Sequence, residues 1–339
     1  MKIKLNRIRL RVLIIILIAA VVLCAVFLGI RALDKNRYQV DQPDSTDLYK
    51  DEDDALTYID GKWYAKRKNI ETVLLIGLDK FEDAVPDDSG YVNNQQSDFL
   101  FLLLLDHENK TYTSLHINRD SMAEIQRIGV DGRKVDTITA QLALAHTYGS
   151  GKEDSCKNTV SAVSGYLYGT QIDHYISLTM DAVADVNDMV GGVTVTVLDD
   201  FTPVDKSLVK GTDVTLAGSQ ALTYVRARGG LEDSSNVRRM ERQRQYLHAL
   251  HRQVEKKMAE SDDFLLSAIL DISPYLVSDC TINQLADIGN SMLEYSGGDI
   301  RTIEGEAVKG EKYMEFYADE DALRDTVLEL FYTEAENAE

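Results

Sequence analysis

Several features that would assign this 339-residue chain quickly are scarce or absent. Only three cysteines and four prolines are present, so neither a disulfide framework nor a proline-rich linker is expected. Cys24 lies in an apolar run; Cys156 and Cys280 could pair in an oxidising compartment, but we expect free buried thiols. No solenoid repeat, P-loop, GxSxG, HExxH or metal-spaced Cys/His motif occurs. Most familiar enzyme classes therefore lack support.

Acidic residues outnumber basic ones, 56 against 36, which gives a formal net charge of −20. The distribution is uneven, because residues 1–31 carry six basic groups and no acid. The remaining chain therefore holds 30 basic and 56 acidic groups, a net charge of −26. A body this acidic repels nucleic acid, so we expect no nucleic-acid partner.

An uncharged apolar run occupies residues 12–30 and reads VLIIILIAAVVLCAVFLGI. As a helix it would be about 28 Å long, close to the thickness of a bilayer core. Five basic residues precede it, so the positive-inside rule puts residues 1–11 in the cytoplasm and the rest outside. A cleaved signal peptide is the alternative, but the run is long and no small-x-small site follows it. We predict a single-pass protein of the cell membrane with an uncleaved anchor.

The rest of the chain divides into a polar stalk, residues 31–70, and a folded part from residue 71. Short apolar runs alternate there with helical patterns, which predicts an α/β fold, a three-layer α/β/α sandwich with a mixed central sheet. Residues 71–257 form the main domain and residues 258–339 a helical extension of it. The predicted strands are residues 71–78, 98–106, 111–118, 174–179, 193–198 and 300–304. The predicted helices are residues 136–147, 156–168, 181–190, 218–224, 236–257, 262–272, 283–295 and 319–333.

Two aspartates stand at strand ends, since Asp79 follows the first strand and Asp98 begins the second. Sites of α/β folds lie at such ends, and Mg²⁺ binds a few carboxylates together with phosphate oxygens. Aspartate also caps turns, and the pattern alone favours that structural role. Arg119 follows the third strand, where it could bind a phosphate or form an ordinary ion pair with Asp120.

The segment YVRARGGLEDSSNVRRMERQRQYL concentrates six arginines in an otherwise acidic domain. On the predicted helix, Arg239, Arg242 and Gln243 are three and four residues apart, so they share one face. The two glycines after the R-x-R pair suit a loop that approaches a ligand closely. We expect an anionic partner rather than a solvated helix face. Carboxylates that can hold a metal and several guanidiniums are together typical of a phosphate- or pyrophosphate-binding site.

The order of these blocks resembles the LytR-CpsA-Psr family: LLIGLD, SD, a strand ending in RD, DHYISL, GGVTVTV, GSQALTYVRAR and RMERQRQ. The resemblance covers roughly residues 70–255 and makes residues 71–257 a catalytic domain. It implies an extracytoplasmic phosphotransferase that moves a glycopolymer, such as a teichoic acid or capsular polysaccharide, from a polyprenyl pyrophosphate carrier to peptidoglycan. The implied cofactor is Mg²⁺, held by Asp79 and Asp98. The implied pyrophosphate-binding residues are Arg119, Arg226, Arg228, Arg239, Arg242 and Gln243.

The chain departs from the family pattern at several positions. Gln96 stands where an arginine often precedes the Ser-Asp pair, and Asn118 replaces the usual proline before Arg119. Asn236 occupies the place of an acid that is a candidate general base. We expect Asp233, three residues earlier, to take that catalytic role beside Arg119, or the base to be absent.

The resemblance also implies a slot for the lipid between the sheet and the helices, among residues 99–105 and the helices at 136–168. Two alternatives to glycopolymer transfer stay open. One is hydrolysis of polyprenyl pyrophosphate at the same site, with water as acceptor. The other is a non-catalytic envelope protein that binds anionic lipid or regulates envelope assembly.

Overall fold

The computed structural model describes residues 56–79, 85–87, 90–129, 131–311 and 313–335. The predicted cytoplasmic segment, the anchor and residues 31–55 of the predicted stalk lie outside these residues. Within the described ranges, no helix combines the length and apolar composition that crossing a bilayer requires. The anchor therefore stays a prediction.

The strands coincide with short runs rich in leucine, β-branched and aromatic residues, the types that fit a pleated, half-buried surface. They are β1 Thr57–Ile59, β2 Lys62–Lys66, β3 Ile70–Leu78, β4 Val85–Asp87, β5 Gly90–Val92, β6 Ser97–Asp106, β7 Thr111–Ile117, β8 Met122–Ile128, β9 Lys134–Gln141, β10 His174–Thr179, β11 Val193–Thr196, β12 Asp213–Leu216, β13 Leu276–Ser278, β14 Ser296–Arg301, β15 Gly305–Lys309, β16 Met314–Ala318 and β17 Tyr332–Ala335.

Seven α-helices lie in the described part of the chain, together with 3-10 helices at Leu142–Thr147 and Ser273–Tyr275. Several begin at an ordinary capping residue; Ser235, for example, accepts a hydrogen bond from the Arg238 amide. The helices are α1 Glu153–Tyr166, α2 Asp181–Met189, α3 Gly218–Arg226, α4 Asn236–Glu260, α5 Phe264–Ile272, α6 Ile282–Glu294 and α7 Glu320–Phe331.

A mixed sheet of six strands lies at the centre, in the order β13-β10-β3-β6-β7-β14. β10 pairs with β3 and β14 with β7 in parallel, while the other neighbours are antiparallel. Because β3 and β6 are antiparallel, Leu78 at the end of β3 lies opposite Ser97 at the start of β6. This register brings Asp79 and Asp98 to one edge of the sheet.

Both faces of the central sheet are buried, which explains the nearly continuous apolar runs of β3 and β6. On one face, residues such as Leu74 and Leu102 pack with α1 and α7. Their neighbours Val73 and Leu103 face the other side and pack against α6. A separate apolar cluster joins the β11–β12 hairpin to α3 and α4, and so fixes the loop between these two helices.

The prediction of a helix over residues 136–147 is wrong. These residues form the end of β9 and the 3-10 helix, and β9 pairs with β8 through Ile125 and Ile138. The β-branched residues Thr137, Ile138 and Thr139 alternate between exposed and half-buried positions, which is the period of a strand. The predicted strands of the main domain and its other helices are confirmed, with shifts of a few residues at their ends.

The two ends of the folded part also differ from their predictions. The predicted stalk reaches residue 70, but β1 and β2 lie within it and form a three-stranded sheet in which β2 pairs with both β1 and β17. Residues 258–339 are not a purely helical extension, because β13 and β14 complete the two edges of the central sheet. The C-terminal residues therefore belong to the same fold. Cys156 and Cys280 are free, the first buried and the second half-buried.

Candidate active site

Asp79 and Asp98 come together at the edge where β3 ends and β6 begins. The pairing of Leu78 with Ser97 brings their carboxyl groups close enough for each to shift the pKa of the other. Asp98 is the more enclosed, with 14% of its side chain exposed against 46% for Asp79. The predicted pair of carboxylates on neighbouring strands is thus present in the structure.

Arg119 follows β7 and is bound to this acidic pair. Its Nη1 donates to Asp98 Oδ1 and its Nη2 to Gln96 Oε1. Asp120 lies behind it, with Oδ1 3.5 Å from Arg119 Nε, and is itself held by Gln141 Nε2 at 3.1 Å. The guanidinium is buried, so it is not the ordinary surface ion pair that the sequence left open.

Arg239, in the first turn of α4, reaches the same aspartate. Its Nη1 lies 3.2 Å from Asp98 Oδ1 and its Nη2 donates to the Asp98 carbonyl at 3.0 Å. Arg226, at the end of α3, donates through Nη2 to Asp79 Oδ2 at 2.8 Å. The guanidinium of Arg228 makes no hydrogen bond or ion pair with the residues that the structure describes, while the Arg228 carbonyl accepts from the Leu231 amide. These five side chains line one polar cleft, together with Val204, Leu222, Thr223, Ala227 and Gly229.

The charges of this cluster shift one another's pKa values. Burial raises the pKa of the Asp79 carboxyl, and the neighbouring Asp98 raises it further. Burial alone would raise the pKa of Asp98, but Arg119 and Arg239 lower it below its usual range. Burial lowers the pKa of the Arg239 guanidinium to about 10, and the nearby Arg228 and Arg119 act in the same direction. Crowded positive groups of this kind are stabilised by an anion.

Two oxygens of the acidic pair are left for a cation. The hydrogen bonds from the arginines use Oδ1 of Asp98 and Oδ2 of Asp79. The other oxygen of each carboxylate receives no hydrogen bond from an arginine of the described chain. Two close carboxylates repel each other, and a divalent cation between them would relieve that repulsion. The donor set therefore fits Mg²⁺, which takes its remaining ligands from water and phosphate oxygens.

Asn236, the departure at the place of the family acid, orients Arg239. Its Oδ1 accepts from Arg239 Nη2 at 2.7 Å, and its Nδ2 donates to Asn118 Oδ1 at 2.7 Å. The two asparagines that depart from the family pattern therefore contact each other. An ionised carboxylate at position 236 would have no proton to donate to Asn118, so the amide suits this neighbour.

Arg242 and Gln243 do not bind at the polar cleft, which corrects their predicted role. Arg242 is fully buried and pairs with Asp199 at 2.6 Å, while its other nitrogens donate to the carbonyls of Tyr224 and Ala227. Gln243 Nε2 donates to the Val225 carbonyl at 3.1 Å. Both satisfy carbonyls at the end of α3 and hold the R-x-R loop in place. The shared helix face was predicted correctly, but Arg242 and Gln243 on it face this loop, whereas Arg239 reaches Asp98.

Asp233 is likewise not brought to the site. Its side chain is exposed and lines a different pocket, with Lys210 and Arg238. A hydrogen bond from Ser235 is the main reason that the pKa of its carboxyl is lowered. A lowered pKa and a separate position both argue against the predicted role as general base.

Sequence reasoning overlooked Asp199, which directly follows the run VTVTVL and is almost fully buried. It accepts from Arg238 Nε and from Arg242 Nη1, both at 2.6 Å. The sequence does hold a signal for it, because aspartates directly follow a predicted strand and precede the arginine-rich helix. The chain gives no indication of which arginines would reach it.

An apolar groove opens beside the polar cleft. It lies between the central sheet and helices α2 and α4, on the face opposite α1. Phe99, Gly77 and Val225 line it, and they are immediate or near neighbours in sequence of Asp98, Asp79 and Arg226. The resemblance implied a lipid slot among residues 99–105 and the helices at 136–168; Phe99 lines this groove, but residues 136–168 do not. The lining residues are Leu75, Ile76, Gly77, Phe99, Ile176, Leu178, Thr179, Met180, Ala182, Val183, Val186, Val225, Gln243, Tyr246, Leu247 and Leu250.

Comparison with known proteins confirms the resemblance. The model of the LytR_cpsA_psr family matches residues 35–330. The polyisoprenyl-teichoic acid–peptidoglycan teichoic acid transferase TagV of Bacillus subtilis is 34% identical over 161 residues, which are 46% of this chain and 38% of that protein. The transferase TagU of Bacillus licheniformis is 30% identical over 179 residues, 53% of this chain and 50% of that protein. The match spans about half the length of these curated relatives, or less.

Solved structures share the fold. The structure described as TagT bound to LI-WTA has a TM-score of 0.58 and 21% identity, over 78% of this chain and 90% of that chain. The crystal structure of Bacillus subtilis TagT has a TM-score of 0.58 and 20% identity, over 86% of this chain and 96% of that chain. At this identity the likeness shows a mixed α/β fold around a mixed central sheet and does not extend to substrates.

Proposed function

The chain belongs to the LytR-CpsA-Psr family, and from that premise we propose that it is a phosphotransferase that moves a glycopolymer from a polyprenyl pyrophosphate carrier to peptidoglycan. The observation that carries this proposal is the junction between the polar cleft and the apolar groove. Three pairs of residues that are one or two positions apart in sequence, such as Asp98 and Phe99, contribute one residue to the cleft and one to the groove. One ligand with a charged head and an apolar tail fits both. The names of the curated relatives favour teichoic acid as the polymer.

The arginines are the groups that bind the pyrophosphate. Arg228 has a free guanidinium at the cleft, and Arg239, which also lines it, has an Nε without a hydrogen-bond partner in the described chain. Phosphoryl transfer depends mainly on positioning and on positive charge around the phosphate oxygens, and less on a strong base. The site thus supplies what the reaction needs even though Asp233 lies elsewhere.

Asp79 and Asp98 would hold Mg²⁺ through the oxygens that the arginines leave unused. When bound, the ion would supply a positive charge that neutralises the pyrophosphate and the leaving polyprenyl phosphate. Asp98 also fixes Arg119 and Arg239, so this aspartate organises both halves of the site.

We place the folded domain outside the cell, with residues 12–30 as the membrane anchor and the N-terminus inside. An anchored enzyme is close to a carrier whose tail lies in the bilayer. The anchor and the stalk therefore fit the proposed substrate, and charge composition in residues 1–31 supports the orientation.

Filling the groove should weaken carrier binding. In the variant Leu247→Trp, a larger side chain would occupy the groove and displace about one isoprene unit of the tail. Each buried CH₂ contributes about 0.8 kcal/mol, so we expect binding to weaken by more than about tenfold. Titration with geranylgeranyl pyrophosphate measures this loss, and binding of inorganic pyrophosphate should stay unchanged. Leu270→Trp, at an exposed position of α5, is the matched control.

Activity is tested with the purified chain, a pyrophosphate-linked glycopolymer, a peptidoglycan acceptor and Mg²⁺. We expect a glycan-linked phosphodiester and free polyprenyl phosphate, no product with EDTA, and normal turnover by Asp233→Asn. If the phosphorylated polymer is instead released free and is not attached to the acceptor, hydrolysis with water as acceptor is supported. If the protein binds the carrier tightly but forms no product with any acceptor, the proposed reaction is contradicted and a carrier-binding role is supported.

A further inference from the structure

A group of metal-binding side chains lies at the other end of the central sheet. His174 begins β10, and Asp279 and Cys280 directly follow β13, which pairs with β10. Their potential ligand atoms all lie within 4.8 Å of one another. Glu71, at the start of β3, borders the group, whereas Asp79 follows the far end of the same strand, about 26 Å away. The group is therefore separate from the proposed pyrophosphate site.

We propose that His174, Asp279 and Cys280 form a Zn²⁺ site, with water as the fourth ligand. His174 Nδ1 lies 3.5 Å from Asp279 Oδ1, and Cys280 Sγ lies 3.8 Å from the same oxygen. In a tetrahedral zinc site with bonds of about 2.0–2.3 Å, neighbouring ligand atoms lie about 3.3–3.8 Å apart. The two separations match the edges of such a tetrahedron.

The orientation of His174 supports this assignment. Its Nδ1 is buried and has no hydrogen-bond partner among the residues that the structure describes. Its Nε2 faces Glu71 Oε1 at 3.8 Å, and Glu71 Oε2 is held by His107 Nε2 at 2.9 Å. A carboxylate beside one ring nitrogen favours the proton there and leaves the lone pair of the other nitrogen for a metal. Glu71 thus acts as the orienting partner commonly found behind zinc-bound histidines.

The donor types select zinc over magnesium. Imidazole and thiolate suit Zn²⁺, whereas Mg²⁺ prefers oxygen ligands and keeps several waters. Cys280, which is half-buried, would supply the thiolate. Binding would break its S–H bond, form a Zn–S bond and release one proton to solvent. The ion would tie β13, an edge strand, to β10.

Zinc binding by the full-length protein in detergent, after removal of metal and of any affinity tag, tests the proposal. Competition with a chromophoric chelator should give one Zn²⁺ per chain, unaffected by excess Mg²⁺. Cys280→Ser and His174→Ala should each weaken binding at least about tenfold. Cys156→Ser, which removes a thiol elsewhere, should bind as the parent does. Equal affinity in all four proteins, or no stoichiometric binding by the parent, would overturn the proposal.

A second readout needs no variant and decides the matter if a substitution prevents folding. Cys280 is half-buried and can react with iodoacetamide, and Zn²⁺ should slow its alkylation at least about tenfold as measured by mass spectrometry. Co²⁺ in place of Zn²⁺ should give a thiolate charge-transfer band in the near ultraviolet. Alkylation of Cys280 at the same rate with and without Zn²⁺ would overturn the assignment.

Discussion

Replacing Arg119 with alanine is expected to lower turnover by about 10³-fold, which corresponds to about 4 kcal/mol of transition-state stabilisation. Arg119 is the buried guanidinium that joins Asp98 to Gln96, and in the proposed reaction it binds the pyrophosphate. Its loss removes positive charge where negative charge is transferred, and it also frees Asp98 from one of its two arginines. Initial rates of product release with saturating carrier-linked polymer and Mg²⁺ measure the effect.

The matched control is Arg127→Ala. Arg127 is a part-buried arginine that pairs with Asp136 across the β8–β9 hairpin, away from the polar cleft. The Arg127→Ala variant should keep a turnover rate within about twofold of the parent's, since surface ion pairs contribute little to stability. If the Arg119→Ala protein is folded and its turnover rate lies within about threefold of the parent's, the proposed site is contradicted.

Replacing Arg242 with alanine is expected to lower the free energy of unfolding by about 3–5 kcal/mol. The guanidinium is fully buried, pairs with Asp199 and satisfies the carbonyls of Tyr224 and Ala227. Without it, Asp199 keeps only the part-buried Arg238, and two carbonyls lose their donor. Urea unfolding at neutral pH, followed by circular dichroism, measures the difference.

Arg238→Ala separates the two arginines that share Asp199. Because the Arg238 side chain is 27% exposed, its loss should cost only about 1 kcal/mol. The resemblance implied that Arg242 binds substrate, and the variants distinguish that role from a structural one. An Arg242→Ala protein of unchanged stability that no longer binds pyrophosphate would contradict the structural role and restore the original prediction.

The parts of the site that could be predicted are those that depend on strand ends. Asp79, Asp98 and Arg119 each adjoin a strong apolar run, and antiparallel pairing of successive strands brings such ends together. Asp79 and Asp98 also adjoin groove residues, yet the groove itself could not be located. Its walls come from α2 and α4, and periodicity shows that a helix has an apolar face without showing which face of the sheet it covers.

The parts that could not be predicted depend on which partner a side chain meets. Arg239 and Arg242 occupy one face of α4, but Arg239 pairs with Asp98 whereas Arg242 pairs with Asp199. The distance along α4 is one turn, so no spacing rule separates their roles. His174 and Cys280 are more than a hundred residues apart, and only the pairing of β10 with β13 brings them together.

The helix predicted at residues 136–147 failed for a different reason. Alanine and leucine around residues 140–145 favour a helix by propensity, but pairing with β8 and burial of the following turn decide the local structure. Among the C-terminal strands, β13 was missed because it is only three residues long, and β14 was predicted four residues too late, at 300–304, because its first residues include two glycines. Both depend on the existing sheet for their hydrogen bonds.

A structure of the protein with Mg²⁺ and geranylgeranyl pyrophosphate tests the central claim most directly. We predict that the pyrophosphate oxygens lie within hydrogen-bonding distance of Arg119, Arg228 and Arg239. The pyrophosphate should lie next to Asp79 and Asp98, and the geranylgeranyl tail should lie in the groove beside Leu247. A pyrophosphate bound away from these arginines, or a lipid bound on the α1 face of the sheet, would contradict it.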